Sequence, residues 1–383
     1  MLASDKTIIS LVAESLFQKG GYYLTKRFTY ADAGVDRKKR YESKRAIGMF
    51  TETYACSHFG SIVRLPFGNV FPVGNDVFLD LTIEGVGTKV LLAQVAGRYD
   101  TIGIDAVAMA VNDVIRSGAV PLAVADNIHA QQSDPILVRE WLRGIMKGAL
   151  QADCPVVSGE IGDVADVIKG EVAGKGFDMV VATVGMASAS KLITGRGIKP
   201  GDIIIGMRSS GLHSNGISLA RRILLKNWGG KYDAHAVIPS LSRELIYEML
   251  EPTSIYVKPV LSATENVTVK AAVHITGDAY LKFNNLTSFS SGIGFKFYNF
   301  KPQPIFELIQ QTARELGFAV SDEEMFQTFN MGWGFAIITS KEDLDDALNA
   351  IKTAGAEAEL IGEITAKPGT IEVEWENKHV TLT

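Results

Sequence analysis

Glu84-Gly85-Val86-Gly87-Thr88-Lys89 is the stretch on which the interpretation of this chain depends. This stretch begins at the end of residues 77–84, where apolar and mostly polar side chains alternate, as in a β-strand with one apolar face. The strand therefore directs Asp80, Thr82 and Glu84 to the same side. Lys89 then begins an apolar run that is typical of a helix.

This turn combines a carboxylate, two glycines, a hydroxyl and a lysine. Such a set can hold a metal ion and a phosphate group together, because glycine lets the backbone approach the phosphate. The same residues also fit an acidic strand end followed by a turn and a solvated lysine. This segment alone does not separate the two interpretations.

Length and composition indicate an ordinary globular protein. The chain has 383 residues, enough for two domains with their own cores, and 46% are hydrophobic and 21% charged. The formal net charge of −5 argues against a broad surface for nucleic acid or anionic membranes, although it permits a local phosphate pocket. We therefore expect neither nucleic acid nor a membrane as a partner.

Cysteine usage and the N-terminal sequence favour a cytoplasmic location. The two cysteines, Cys56 and Cys154, form neither a metal-binding spacing nor a disulfide framework. The first residues lack the basic and apolar regions of a signal peptide, and apolar runs such as 179–187 are too short to span a bilayer.

The pattern along the chain predicts two α/β units. Strands are predicted at 77–84, 122–126, 155–159, 179–184 and 202–207, and helices at 7–18, 89–96, 101–118, 134–152 and 217–225. The breaker-rich stretch 194–201 marks a domain edge, so we expect domains at 1–187 and 188–383. Residues 30–36 are predicted to be an irregular arm, and the basic cluster 37–40 is interpreted as a solvated face.

The predicted helix 101–118 carries a polar stripe opposite its apolar face. Asp105, Asn112, Asp113 and Arg116 fall within an arc of about 100°. Short Asp and Asn side chains among small residues suit a metal or ribose site, which needs close approach. The alternative is a plain exposed stripe.

The loop 208–216 lies between a predicted strand and a predicted helix, so its backbone amides can form an anion site. His213 in this loop can hold a phosphate or transfer a proton; the alternative is a loop histidine with a local hydrogen bond. Glu160 is predicted at the exit of a buried strand, a position that suits a metal ligand. Two further turns, 274–278 and 330–334, are each more often plain turns than sites. Neither a Walker A motif nor a Gly-x-Gly-x-x-Gly after a strand is present.

Taken in order, eight motifs resemble the phosphoribosylformylglycinamidine cyclo-ligase family, also called aminoimidazole ribonucleotide synthetases. The resemblance covers residues 28–370 and rests on segments 30–36, 85–89, 100–105, 108–113, 209–216, 252–258, 274–277 and 329–332. It implies an α/β (α+β) fold of two domains, the first binding ATP and dimerising, the second binding substrate. It also implies a homodimer in which N-terminal strands of both subunits form a shared barrel.

The resemblance implies ATP-dependent closure of an imidazole ring in purine biosynthesis. ATP phosphorylates the formyl-amide oxygen of formylglycinamidine ribonucleotide, and an amidine nitrogen then expels phosphate, giving aminoimidazole ribonucleotide and ADP. This chemistry needs Mg²⁺ and donors for the phosphate groups. The substrate is thus a small-molecule nucleotide.

The resemblance assigns roles to four sets of residues. Lys89, Asp113 and His213 are the expected catalytic residues, and Glu84, Asp113 and Glu160 the expected metal ligands. The expected ATP contacts are Asp32, Gly34, Asp36, Gly85, Gly87, Thr88, Lys89, Asp105 and Asn112. The expected substrate contacts are Ser210, His213, Ser214, Asn215, His274 and Thr276.

The chain departs from the family pattern at several positions. Glu84 replaces the usual aspartate, Ser158 and Ile161 interrupt the usual Gly-Gly-Glu-Thr, and Trp333 replaces a small or aliphatic residue. The usual His-Ile-Thr-Gly-Gly-Gly is His274-Ile275-Thr276-Gly277-Asp278-Ala279. Two alternatives therefore stay open: another ATP-dependent enzyme of the same fold with a different substrate, and a non-catalytic nucleotide-binding paralogue.

Overall fold

The computed structural model describes residues 26–382, so the helix predicted at 7–18 lies outside the described residues. The helices are α1 (Arg37–Lys44), α2 (Lys89–Ala96), α3 (Asp100–Val114), α4 (Pro135–Ala152), α5 (Ile217–Leu224), α6 (Leu245–Met249), α7 (Val257–Asn266), α8 (Pro304–Glu315), α9 (Asp322–Thr328) and α10 (Leu344–Thr353). The longer 3₁₀ segments are Arg45–Cys56 and Ala279–Ser288.

Fifteen strands are present in the described part of the chain. They are β1 (Lys26–Arg27), β2 (Val63–Leu65), β3 (Gly68–Gly74), β4 (Val77–Gly85), β5 (Val120–Ala130), β6 (Val156–Asp163), β7 (Phe177–Ser188), β8 (Ile203–Arg208), β9 (Ala271–His274), β10 (Gly294–Phe297), β11 (Phe318–Ala319), β12 (Trp333–Thr339), β13 (Ala358–Thr365), β14 (Ile371–Trp375) and β15 (Lys378–Leu382). They form two main sheets and one short pair.

The first sheet has the order β2-β3-β4-β7-β5-β6, and α3 packs on one face of it. Residues 101–114 of α3 are all buried, since α4 packs against the helix and residues of the C-terminal half, among them Thr253 and His274, contact its polar side. The two helices touch backbone to backbone: a Cβ on Gly103 would lie 2.3 Å from the Ile145 nitrogen. The exposed stripe considered for this helix is therefore wrong, because its polar residues are enclosed by protein.

The second sheet has the order β15-β14-β10-β13-β8-β12-β9. Its central strands β8 and β12 are almost entirely buried, and all seven residues of β12 are. A cluster of aromatic side chains fills one side of the core, with Tyr280 in edge contact with Phe297 and Phe326. The fold is thus a mixed α/β arrangement of two domains, each with its own sheet.

Most predicted elements are confirmed, with ends shifted by a few residues. One expectation about burial is wrong: Glu160 does not leave a buried strand. It lies within β6, whose residues are mostly exposed because β6 is an edge strand paired only with β5. The prediction of a strand at this position is confirmed, and the prediction that the strand is buried is wrong.

The arm 30–36 and its flanks lie on the second sheet's domain, although they precede the first sheet in sequence. β1 pairs in parallel with β11, and the Phe28 amide donates to the Ala319 carbonyl at 2.9 Å. Arg222 of α5 donates to the Asp32 carbonyl at 3.0 Å. The arm is therefore fastened to the C-terminal half of the chain.

The face of the first sheet opposite α3 is apolar and exposed. Leu81 and Ile83 of β4 are 63% and 68% exposed, and Val120 and Met186 continue the same face. Within residues 26–382, none of the helices combines the length and the apolar character needed to cross a membrane.

Candidate functional site

The turn after β4 is joined to the second domain by a buried polar network. Lys89, the first residue of α2, is completely buried and its Nζ donates to Asp105 Oδ1 at 2.9 Å and to the Glu251 carbonyl at 2.6 Å. The same Asp105 oxygen accepts from the Thr253 amide at 2.8 Å and from Ser214 Oγ at 3.1 Å. Burial lowers the pKa of Lys89, and Asp105 opposes that shift. The charge of Lys89 is thus paired inside the protein.

Two of the residues expected to bind ATP, Asn112 and Thr88, instead contact the second domain. Asn112 donates from Nδ2 to the Ser254 carbonyl at 2.8 Å and accepts from the Tyr256 amide at 2.8 Å. Thr88 Oγ1 lies 3.0 Å from Ser218 Oγ of α5. Both contacts join the first domain to the second. The predicted polar stripe of α3, which includes Asn112, therefore lies at the interface between the two domains. Gly85 is the last residue of β4, and Gly87 lies in the turn that follows it and leads to α2.

Asp113 is the centre of a second cluster, also between the domains. His274 Nδ1 lies 2.7 Å from Asp113 Oδ1, and Arg116 Nη2 lies 2.7 Å from Oδ2. Burial opposes ionisation of Asp113, but Arg116, His274 and Lys282 outweigh it and lower the pKa of the carboxyl. Burial lowers the pKa of His274 to about 4 against the opposing effect of Asp113. The ring is therefore neutral at pH 7 and donates from Nδ1 to an ionised Asp113.

Glu84 faces the same cluster from β4. Burial, the charge of Asp113 and a hydrogen bond to Asp113 raise the pKa of Glu84 to about 7. Both carboxyl groups line a cavity of about 210 Å³ together with Asp80, Thr82 and Arg116. The alternation of β4 thus brings its polar side chains to one place, as the sequence predicted.

Lys282 completes the cluster and was missed from the sequence. Its Nζ donates to the His274 carbonyl at 3.1 Å and to Thr276 Oγ1. Burial lowers the pKa of Lys282 to about 8, and Asp113 partly offsets the shift. The only signal was its position, four residues after the unusual Asp278.

The side chains fit a magnesium ion held by two carboxylates, and not one held by three. Among residues 26–382, no three His, Cys, Asp or Glu side chains are placed to hold a metal ion. Mg²⁺ in phosphoryl-transfer sites usually takes one or two carboxylates and completes its shell with phosphate oxygens and water. Glu84 and Asp113 suit that mode, because each contributes one adjacent carboxyl group to the cavity.

Glu160 is not brought to this pair within one chain. In the sheet register, Glu160 lies opposite Asn127, Asn127 opposite Val180, and Val180 opposite Gly85. Three steps between strands separate the Glu160 backbone from the end of β4 by about 14 Å.

His213 is buried and neutral. Its Nε2 accepts from the Ser210 amide at 3.2 Å and the Ser254 amide at 3.5 Å, so the proton is on Nδ1. Burial, His274 and Lys89 hold the pKa of His213 well below its usual range. A neutral ring cannot attract a phosphate by charge, and the local hydrogen bond considered from the sequence is present.

The remaining expected substrate contacts differ in what they offer a ligand. Ser210 Oγ donates to the Pro252 carbonyl at 2.5 Å, and Ser214 and Thr276 are bonded to Asp105 and Lys282. Asn215 Nδ2 is buried and has no hydrogen-bond partner in the part of the chain that the structure describes. Asn215 therefore has a buried donor without a partner, as does His213, whose Nδ1 also has no partner among the described residues.

The arm residues expected to cover ATP have local contacts here. Asp32 Oδ2 accepts from the Thr29 amide and hydroxyl at 2.8 Å, and Asp36 caps α1 by accepting from the Lys39 amide at 3.1 Å. Gly34 lies beside Arg222 of α5. The arm therefore lies beside α5 of the second domain.

Comparisons with known proteins agree with this architecture. The family model described as AIR synthase related protein, N-terminal domain, matches residues 68–187, and the C-terminal domain model matches 199–374. A phosphoribosylformylglycinamidine cyclo-ligase of Pyrococcus furiosus is 37% identical over 356 residues, covering 90% of this chain and 97% of the relative. The enzyme of that name from Bacillus thuringiensis is 34% identical and covers 89% and 96%.

Solved structures share the fold at low identity. The hydrogenase maturation protein HypE is 15% identical with a TM-score of 0.54, covering 86% of this chain and 92% of that chain. T. maritima PurL complexed with ATP is 14% identical with a TM-score of 0.53, and the match spans 81% of this chain and less than half, 44%, of PurL. The fold follows from these structures, and the family from the two domain models and the relatives above 30% identity: the chain belongs to the phosphoribosylformylglycinamidine cyclo-ligase family.

Proposed function

We propose that this protein is an enzyme that closes the imidazole ring of aminoimidazole ribonucleotide, using formylglycinamidine ribonucleotide and ATP and releasing ADP and phosphate. The observation that carries the proposal is the cluster around Asp113: Glu84 and Arg116 line a cavity of the first domain together with Asp113, and His274 and Lys282 of the second domain interact with Asp113. Its carboxylates and cations match what phosphoryl transfer needs.

Each member of the cluster has a physical role in this scheme. Mg²⁺, held by Glu84 and Asp113, would neutralise charge on the transferring phosphoryl group. Arg116 and His274 fix both oxygens of Asp113, so that its carboxylate keeps one orientation. Lys282, a buried lysine of the second domain that interacts with Asp113, would supply a positive charge that offsets charge developing on the formyl-amide oxygen.

The finer expectations are part of the same proposal. We assign residues 1–187 to ATP binding and dimerisation and residues 188–383 to substrate binding, in a cytoplasmic protein. A homodimer with a shared barrel is supported by the exposed apolar face at Leu81, Ile83, Val120 and Met186, which a single chain leaves in water.

One observation bears equally on the enzyme and on the alternative of a non-catalytic nucleotide-binding subunit. Lys89, the residue expected on the ATP phosphates, is buried in an ion pair with Asp105. For Lys89 to reach a phosphate, this pair has to open.

The deciding experiment measures ADP release by the full chain with Mg²⁺, ATP and formylglycinamidine ribonucleotide, and separately with other phosphorylated amides. Substrate-dependent ADP release together with aminoimidazole formation supports the proposal. Turnover with a different amide, or tight ATP binding without turnover, would replace it with one of the two alternatives. Asp113→Asn should reduce turnover by at least about tenfold, because it removes a charge that offsets phosphoryl charge.

A further inference from the structure

Arg40 extends from the N-terminal arm to the loops that carry Asn215 and His274. A Cβ placed on Gly277 would lie 3.8 Å from both Nη1 and Nη2 of Arg40 and 3.7 Å from Asn215 Oδ1. The guanidinium and the amide therefore flank one backbone position. Asn215 Nδ2 is a buried donor without a hydrogen-bond partner among the described residues. A cation and a free buried donor thus lie side by side.

Asp278 holds Arg40 in this position. Arg40 Nη2 lies 2.5 Å from Asp278 Oδ1, and Arg37 Nε lies 3.9 Å from the same oxygen. Arg37 is also paired with Glu324 at 2.9 Å, so α1 is anchored at two carboxylates of the second domain. The basic cluster that the sequence suggested was a solvated face is partly engaged, since Lys38 and Lys39 are exposed and both arginines are not.

Asp278 takes a backbone conformation that favours glycine. Its φ is 68°, in the left-handed region, where aspartate is tolerated at a steric cost that glycine does not have. The carboxylate at this position therefore has to contribute something that glycine cannot. Its ion pair with Arg40 is that contribution.

We infer that Arg40 joins Asn215, already an expected substrate contact, in a subsite for the phosphate group of the ribonucleotide substrate, with Asp278 as the residue that positions Arg40. This inference rests on the proposed function. A guanidinium has five N–H donors, and the bond to Asp278 leaves others for a phosphate, which prefers paired donors. Asp278 also offsets part of the positive charge of Arg40, which weakens the attraction for phosphate. In return, Asp278 holds the guanidinium in a fixed orientation.

The test measures binding of ribose 5-phosphate to the full chain by calorimetry, and KM and kcat for formylglycinamidine ribonucleotide. Arg40→Ala should weaken ribose 5-phosphate binding and raise KM by about tenfold or more, because a charge-assisted bond pair to phosphate is lost. The affinity for ADP and kcat should stay within about twofold. Lys38→Ala is the matched control: it removes the same charge from an exposed position of the same helix and should change neither value.

The variant Asp278→Gly distinguishes two roles for Asp278: stabilising the fold, and positioning Arg40 for phosphate. Glycine relieves the backbone at this position, so this variant should fold at least as well as the wild type while binding ribose 5-phosphate several-fold more weakly. In the Arg40→Ala background, Asp278→Gly should add little. Arg40→Lys keeps the charge without the paired donors, so its affinity for ribose 5-phosphate should lie between those of the wild type and Arg40→Ala. This variant tests the inference if Arg40→Ala does not fold.

The inference is overturned if Arg40→Ala leaves ribose 5-phosphate affinity and KM unchanged, or if it weakens ADP binding equally. Its failure differs from that of the proposed function. A wild-type chain that binds ribose 5-phosphate through Arg40 but does not turn over formylglycinamidine ribonucleotide keeps the subsite and loses the reaction. A chain that turns the substrate over with no dependence on Arg40 keeps the reaction and loses the subsite.

Discussion

Lys89 and Asp105 form an ion pair in which both side chains are completely buried, with Nζ 2.9 Å from Oδ2. Asp105 also accepts from Thr253, and Lys89 donates to the Glu251 carbonyl, so the pair joins the first domain to the second. A lysine that only contacted ATP would be solvent-exposed without nucleotide. The pair therefore contributes to folding as well as to any contact with ATP.

Lys89→Met should lower the free energy of unfolding in the absence of nucleotide by about 3–5 kcal/mol, because Asp105 is left as a buried charge without its cation. Urea unfolding measures this difference. Lys147→Met is the control: it breaks an ion pair with Asp100 at 2.8 Å in which the lysine is 43% exposed, and such surface pairs contribute about 0.2–1 kcal/mol. Equal, small losses in both variants would contradict the buried role.

Gly334 provides a second prediction, because it packs against His213, one of the residues expected at the site. A Cβ there would lie 2.1 Å from the Tyr256 hydroxyl oxygen and 2.4 Å from His213 Cε1. Gly334→Ala should therefore displace the His213 ring and cost about 1–3 kcal/mol of stability through overpacking. Turnover should fall with it if His213 takes part in the reaction.

Unfolding and steady-state kinetics of Gly334→Ala test this together. Gly48→Ala is the matched control, since a Cβ at Gly48 would meet no atom within 4 Å. Unchanged stability and activity in Gly334→Ala would mean that Tyr256 and His213 move aside without a loss of free energy, which would contradict the prediction. If Gly334→Ala loses stability but keeps full turnover, catalysis does not depend on the exact position of the His213 ring.

Glu84 should make stability depend on pH in a metal-free buffer. Its pKa rises from 4.5 to about 7 in the folded state, so the folded protein binds the proton more tightly than the unfolded chain. The resulting stabilisation is present below about pH 4.5 and is lost as pH rises toward 7. His274 has the opposite sign, because its pKa is lowered from 6.5 to about 4 and its contribution grows over an overlapping range.

The Glu84 contribution is isolated by comparing the wild type with Glu84→Gln in the presence of a chelator. The stability of the wild type relative to the variant should fall by roughly 2 kcal/mol between pH 4.5 and pH 7. Glu265→Gln, at an exposed position, should give a flat difference. A flat difference for Glu84→Gln as well would show that the carboxyl titrates normally.

The strand β4 shows how far sequence alone reaches. Alternation predicted the strand and the common direction of Asp80, Thr82 and Glu84, and both are confirmed. It did not reveal which face is covered by α3. The polar residues face the helix and the cavity while Leu81 and Ile83 are exposed, which reverses the usual arrangement. A pattern of period two fixes the faces of a strand and says nothing of what packs on each.

Contacts between distant segments were the other limit. The arm was correctly predicted as irregular before residue 37, but its pairing with β11 and the ion pair of Arg40 with Asp278 join positions more than 200 residues apart. The motif at Lys89 likewise indicated a phosphate contact, because local spacing does not show that Asp105 lies within hydrogen-bonding distance. Such pairs depend on tertiary packing, which local periodicity does not encode.

The exposed face of the first sheet leads to the last prediction, which concerns the proposed homodimer. Leu81 and Ile83 are the most exposed apolar side chains of β4, and covering each contributes about 1.5–3 kcal/mol. Ile83→Asp should therefore shift the protein from dimer to monomer and raise the dissociation constant by at least tenfold, on the order of 1.4 kcal/mol. Sedimentation velocity over a range of concentrations measures the shift.

Ile136→Asp is the control for that variant. Ile136 is 73% exposed, but it lies at the start of α4, away from the apolar sheet face, so its substitution should leave the dimer intact. If the shared barrel completes the ATP site, turnover of Ile83→Asp should recover at high protein concentration, because association is then driven by mass action. A wild-type chain that sediments as a monomer, or an Ile83→Asp variant that stays dimeric, would exclude this face as the subunit contact.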